Sequence, residues 1–140
     1  LRSCVNTVCR MLNPGAAAAS VQGVFHPSYR LLQADAAAQL GWQNLTVIKG
    51  GGGEFERHPA KDIAAFGLRA GAPWEAQFAA TRSETRRLAT DMSAGLTRPS
   101  PFETDIITGT AALALDTLGV TDSADAAQRL WDARKAARAA

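Results

Sequence analysis

Long apolar runs, cysteines and aromatic side chains are all scarce in this chain of 140 residues. No apolar run approaches the roughly 20 residues that span a bilayer, so we expect no membrane-embedded segment and no membrane partner. The two cysteines, Cys4 and Cys9, lack a CxxC spacing, which argues against a zinc site. Five residues apart on one helix, they would point in different directions. We therefore expect two buried thiols in a reducing cytoplasm and no disulfide.

Lysine is also rare, because twelve of the fifteen basic residues are arginines. The net charge is only +2, so the cations matter by type and position rather than by number. Arginine forms forked hydrogen bonds to phosphate that lysine cannot form, and Arg82, Arg86 and Arg87 fall in one span with few acids. Two interpretations stay open: a phosphate-binding face, or the solvated surface of a helix in a chain rich in arginine and alanine.

Apolar periodicity and the positions of glycine and proline predict a single α/β domain over residues 1–140. We expect strands over 19–25, 45–49, 63–69 and 73–79, and helices over 3–12, 27–40, 81–94, 102–118 and after Ser123. The helix between the first two strands is long enough for those strands to pair in parallel.

Helical spacing also predicts which residues share a face, and so which helix faces are apolar. The residues on one face of the helix over 27–40 are Tyr29, Leu32, Ala36 and Leu40. Gly41 is suited to end that helix, because glycine adopts the left-handed conformation without strain. In the last helix we expect the buried residues to be Ala127, Leu130 and Trp131.

Four consecutive glycines, Gly50–Gly53, directly follow the strand predicted at 45–49. Glycines let a ligand approach the main chain closely, and ligands of parallel sheets bind at loops that leave the carboxyl ends of strands. Glu54, Glu56 and Arg57 follow at once. The loop is therefore a candidate binding site, although a flexible surface turn would have the same composition.

Three segments together resemble the C-terminal part of the anthranilate phosphoribosyltransferase fold, which nucleoside phosphorylases share. They are Arg2–Pro14, Val21–Phe25 and the glycine loop with Glu56. The resemblance implies that the chain is the latter part of the large α/β domain of such a protein. Because Leu1 opens directly into the first segment, we expect a fragment that lacks the phosphoribosyl diphosphate loops. It also implies a homodimer formed through an N-terminal domain absent from this chain.

If the chain is an enzyme, the resemblance implies that Arg2 and Asn13 contact the aromatic acceptor. The enzymes carry an adjacent Asp–Glu pair that helps to hold magnesium. Glu56 matches the Glu, whereas Phe55 stands where the Asp is expected. Phenylalanine offers no oxygen ligand, so we expect at most a weak magnesium site at Glu56 and no firmly bound cofactor.

Two further segments, Val24–Tyr29 and Lys49–Pro59, resemble a divergent branch of the family whose members bind nucleic acids. We therefore expect a cytoplasmic, non-catalytic protein that binds DNA or RNA without sequence preference. The alternative is an active phosphoribosyltransferase acting on anthranilate or a related aromatic acceptor. The expected nucleic-acid contacts are Lys49, Arg57, Arg82, Arg86 and Arg87. We expect no catalytic role for His26 or His58, since no nucleophile accompanies them.

Overall fold

The computed structural model describes residues 5, 8–9, 11–50, 55–83 and 99–139. Its elements are β1 (Ser20–Val24), α1 (Tyr29–Gln39), β2 (Leu45–Lys49), β3 (Ile63–Arg69), β4 (Ala72–Phe78), α2 (Pro101–Thr117) and α3 (Ser123–Ala139). The predicted α/β class is confirmed, and each of the four predicted strands is present with bounds within one residue. Within the described residues, no helix is long and apolar enough to cross a bilayer.

The four strands form one mixed sheet in the order β1-β2-β3-β4. β1 and β2 pair in parallel, as predicted, with Ser20 opposite Leu45 and Val24 opposite Lys49. β3 and β4 add antiparallel pairs. The loop between them needs two residues of left-handed backbone, which Ala70 and Gly71 adopt with φ of 50° and 77°.

Helices cover both faces of the sheet, so that α1, the sheet, α2 and α3 form successive layers. The core under α1 consists of Val24, Ala37, Leu45, Val47 and Leu68. The core on the other face consists of Ile48, Ile63, Ala65 and Leu113. Alternate residues of β2 enter opposite cores because successive strand side chains point to opposite faces.

The helix ends follow from local sequence signals. At the end of α1, Gly41 has a φ of 75°, and its N–H donates to Ala38 O while the N–H of Trp42 donates to Ala37 O. This is a Schellman motif, and it confirms Gly41 as the end of the helix. At the start of α2, whose first residue is Pro101, Ser100 and Glu103 form a reciprocal capping box.

The residues predicted to share an apolar face of α1 are largely exposed, and one of the three residues predicted to be buried in α3 is exposed. Tyr29, Leu32 and Leu40 are 46%, 59% and 66% exposed, and α1 instead buries Gln33, Ala34 and Ala37. The small Ala34 and Ala37 let the helix approach the sheet closely, and Gln33 is the large side chain that is buried with them. In α3, Ala127 and Trp131 are buried as expected, but Leu130 is 60% exposed.

Two other expectations need correction. Cys9 is an exposed free thiol rather than a buried one. Thr81–Ser83 are not helical, and the rest of the helix predicted over 81–94 lies outside the described residues. The helix predicted over 3–12 is described only in part: Val5, Val8 and Cys9 have helical backbone.

A candidate anion-binding cleft

A cleft of about 320 Å³ opens where the two parallel strands end. Val24 pairs with Lys49 at this edge, and the N–H of Gly50 extends the pairing by donating to Val24 O at 3.1 Å. The chain returns to the same edge at the start of β3. The residues that line the cleft are Arg30, Lys49, Gly50, Glu56, His58, Lys61, Asp62, Ile63, Ala64, Gln77 and Ile106.

Arg30 forms one wall of the cleft and is fixed in place by the backbone around it. Its Nε donates to Pro27 O at 3.1 Å, its Nη1 donates to Ala64 O at 2.8 Å, and its guanidinium lies 4.8 Å from the Phe66 ring centroid. A guanidinium has five N–H donors, so these two bonds leave three for a ligand. Arg30 is therefore an oriented cation that keeps donor capacity.

Lys49 and Lys61 supply two further cations, one from the end of β2 and one from the turn before β3. Both side chains are exposed. In the described part of the chain, no hydrogen bond or ion pair engages either ammonium group. Two exposed ammonium groups and one oriented guanidinium that line the same cleft can hold an anion that carries several oxygens.

Two carboxylates share the cleft and moderate its positive charge. Glu56 is half-buried there, and Asp62 Oδ1 accepts from the N–H of Ala80 at 2.8 Å. Among the described residues, the lining thus holds three cationic side chains and two carboxylates. Several cations along one cleft suit contacts with the phosphates of a polyanion.

Among the described residues, the carboxylates that the cleft offers to a magnesium ion are Glu56 and Asp62. Glu56 opens onto the cleft, but the half-exposed Phe55 lines a different hollow beside Val21, Ala114 and Leu118. Gly51–Glu54 lie outside the described residues. Among the residues the structure does describe, no three His, Cys, Asp or Glu side chains come together as a metal cluster.

Arg57, a predicted nucleic-acid contact, points away from the cleft and anchors the loop to the α2 side. Its N–H donates to Thr110 Oγ1 at 2.9 Å, and its Nη2 donates to Ala79 O at 3.2 Å. Its guanidinium also lies 5.3 Å from the Phe78 ring centroid. Burial lowers the pKa of Arg57 below its usual value, although an arginine remains charged at neutral pH.

Arg82, another predicted contact, is neutralised by an ion pair. Its Nε donates to Asp105 Oδ2, and its Nη2 donates to Pro101 O at 3.4 Å. A separate hollow of about 380 Å³ is lined by Arg57, Asp105 and Asp125 among others. The predicted cationic surface is thus divided: Lys49 lies in the cleft, while Arg57 and Arg82 contact residues on the α2 side.

Of the remaining predicted site residues, Arg2, Arg86 and Arg87 lie outside the described residues. Asn13 is described, and its amide holds its own loop. Its Nδ2 donates to Ala17 O at 2.9 Å, and its Oδ1 accepts from the N–H of Ala17 at 2.8 Å. Both polar atoms of Asn13 therefore have a backbone partner in this structure, and its predicted acceptor contact stays a prediction.

Sequence reasoning missed Arg30 and Lys61 as members of the site. A signal existed for Arg30, because it lies one residue into the helix that follows β1, and ligand sites form at the carboxyl ends of parallel strands. Lys61 had no such signal, since it reaches the cleft only through the antiparallel pairing of β3 with β2.

Chemically, the cleft offers oriented N–H donors and exposed ammonium groups to an anion, and phosphate is the anion that this combination suits best. Arg30, Lys49 and Lys61 line the cleft together, and a chain of phosphates can contact several cations at once. Comparison with known proteins adds no relative: no protein-family model matches this chain, and no curated protein is significantly similar to it.

Proposed function

We propose that this chain binds nucleic acid through the phosphate backbone, without sequence preference, at the cleft beyond β1 and β2. The observation that carries the proposal is that two exposed lysines, Lys49 and Lys61, line the cleft together with the oriented Arg30. Among the described residues, neither ammonium group has a hydrogen-bond or ion-pair partner. Arg57 and Arg82 take a supporting part in it, because both hold neighbouring loops to α2. The main-chain N–H of Arg57 donates to Thr110 Oγ1, and the Arg82 guanidinium donates to Pro101 O and pairs with Asp105.

Lack of sequence preference follows from the kind of donors that the cleft presents. Sequence is read from base edges by side chains that match their donor and acceptor patterns, whereas phosphate contacts position the ligand without reading it. Each ammonium group that meets a phosphate releases a counterion, so binding weakens as salt rises.

The proposal also includes the kind of protein to which this chain belongs. The β1–α1–β2 unit with a glycine loop after β2 supports the latter part of an anthranilate phosphoribosyltransferase-like α/β domain. We propose a non-catalytic branch of that family, working in the cytoplasm as a homodimer that forms through an N-terminal domain. The presence of Phe55 where the resemblance implies a metal-binding Asp supports the non-catalytic part.

Fluorescence anisotropy titrations with labelled oligonucleotides of unrelated sequence test the binding. We expect similar affinities for all sequences and a linear fall of log affinity with log salt concentration. Lys49→Ala should weaken binding to every sequence equally. Arg129→Ala is the matched control, because Arg129 is an exposed cation on α3, away from the cleft. Markedly different affinities among the sequences, or equal effects of both substitutions, would contradict the proposal.

Phosphoribosyl transfer to an aromatic acid is the second candidate, because the Glu56 carboxylate opens onto the same cleft as the cations. An assay of anthranilate consumption, with phosphoribosyl diphosphate and magnesium present, separates the two functions. Turnover near 1 per second, an ordinary enzyme rate, that is lost in Glu56→Gln would establish the transferase instead.

A further inference from the structure

Three aromatic side chains form an exposed cluster directly after β1. The rings of Phe25 and His26 meet edge to face with centroids 4.9 Å apart, and those of His26 and Tyr29 meet with centroids 5.9 Å apart. Phe25 is 49% exposed and Tyr29 is 46% exposed. The cluster therefore presents ring surface to solvent, although aromatic residues make up only 6% of the chain.

This aromatic cluster is joined to the cationic cleft through its neighbours in the chain. Phe25 follows Val24, the partner of Lys49 in the β1–β2 pairing and the acceptor of the Gly50 N–H. Tyr29 immediately precedes Arg30, whose guanidinium forms a wall of the cleft. The N–H of Tyr29 donates to His26 O at 3.1 Å, so the turn that carries the rings also starts α1.

We propose that Phe25, His26 and Tyr29 form a stacking surface for unpaired bases, so that the ligand of this site is single-stranded nucleic acid. The inference rests on the proposed nucleic-acid binding at the cleft and specifies the form of its ligand. Lys49, Lys61 and Arg30 hold the phosphates, and the adjacent rings receive the bases of the same strand.

The combination of residues distinguishes this ligand from a duplex. In a duplex, the faces of the bases are covered by their neighbours, so exposed rings find no partner there. In a single strand every base has an accessible π-face, and proteins that bind such strands combine a cationic groove with aromatic platforms. Because stacking does not read the edges of the bases, it is compatible with the absence of sequence preference.

The test compares two fluorescein-labelled strands of equal length and charge, one of thymidine nucleotides and one of abasic sugar phosphates. Anisotropy titrations give their affinities for the whole chain and for Tyr29→Ala, Tyr29→Phe and Leu40→Ala. Tyr29→Phe keeps the ring. Leu40→Ala removes an apolar side chain of 66% exposure just beyond the far end of α1. The substituted side chains are exposed, and far-UV circular dichroism verifies that each variant is folded.

We expect the wild type to bind the thymidine strand more tightly than the abasic strand, by about 5- to 150-fold for each stacked base. Tyr29→Ala should reduce that preference and leave the slope of log affinity against log salt unchanged. Tyr29→Phe and Leu40→Ala should keep both the preference for the thymidine strand and the slope of log affinity against log salt.

Equal affinity for the two strands would overturn the stacking surface and leave the phosphate-binding function standing. The stacking surface would also be overturned, with phosphate binding left standing, if Tyr29→Ala weakened binding to both strands by the same factor. If neither strand binds even at low salt, the proposed function itself fails, and the stacking surface fails with it.

Discussion

Gly67 is the position where the structure sets the strictest steric limit on the sequence. It lies in β3 opposite Thr46 of β2. A Cβ atom at this position would lie 1.9 Å from Leu45 O and 2.7 Å from Leu45 C. Ordinary van der Waals contact begins at 3.4 Å, so Gly67→Ala requires β2 and β3 to separate locally by about 1.5 Å.

The packing around β2 resists that separation of the two strands. Leu45 is completely buried, and it belongs to the core under α1 together with Val47 and Leu68. Moving β2 away would break one or two ladder hydrogen bonds, each worth about 1 kcal/mol, and would overpack a core at a cost of about 1–3 kcal/mol. We expect Gly67→Ala to lower the free energy of unfolding by about 3 kcal/mol, a large part of the ~5–15 kcal/mol of a typical domain.

Urea unfolding followed by tryptophan fluorescence measures this loss, because Trp42 packs on the same core. Gly109→Ala is the matched control. Gly109 lies inside α2, and its added Cβ would lie at an ordinary distance of 3.6 Å from Arg57 Cδ. Since glycine is about 1 kcal/mol less favourable than alanine in a helix interior, this variant should be slightly more stable. A Gly67→Ala midpoint equal to that of the wild type would refute the reasoning.

Three other substitutions test different parts of the structure. Thr117→Val removes the buried hydroxyl that lies 2.7 Å from Thr46 Oγ1, and urea unfolding should show a loss of about 1 kcal/mol. Ser100→Ala removes the side-chain acceptor for the N–H of Glu103, and thermal unfolding should show a loss of about 1 kcal/mol; no change would contradict the observed cap. Arg82→Met removes an ion pair on the α2 side. We expect it to change the free energy of unfolding and to leave the salt dependence of oligonucleotide binding unchanged. A smaller slope of log affinity against log salt would instead show that Arg82 contacts phosphate.

Local signals explain how much of the fold could be predicted from the sequence. Gly41 ends α1 because a left-handed residue satisfies the last carbonyl groups, and this depends on nearby residues alone. The buried face of α1 depends on more than its own periodicity. Either Leu32 or Ala34 could face the sheet. Ala34 is the buried one because its small side chain allows closer packing of the helix. That outcome depends on the shape of the sheet, which the helix sequence does not contain.

The candidate site could be predicted only where its residues follow one another in sequence. Lys49 was expected, because it ends a strand beside the glycine loop. Arg57 was grouped with it on sequence proximity, yet Arg57 does not line the cleft, and its guanidinium contacts Phe78 and Ala79 O. Lys61 joins the cleft only through the pairing of β3 with β2. Which cations share a surface is therefore a tertiary property, and the spacing of basic residues alone does not determine it.

The salt dependence of single-strand binding by a variant that combines Lys49→Met with Lys61→Met tests the central claim most directly. If both ammonium groups contact phosphates, the slope of log affinity against log salt should fall by about 1.4, since each contact on a single strand contributes about 0.7. The control Arg129→Met should keep the wild-type slope. A double variant whose slope and affinity equal those of the wild type would show that the cleft beyond β1 and β2 is not the nucleic-acid site.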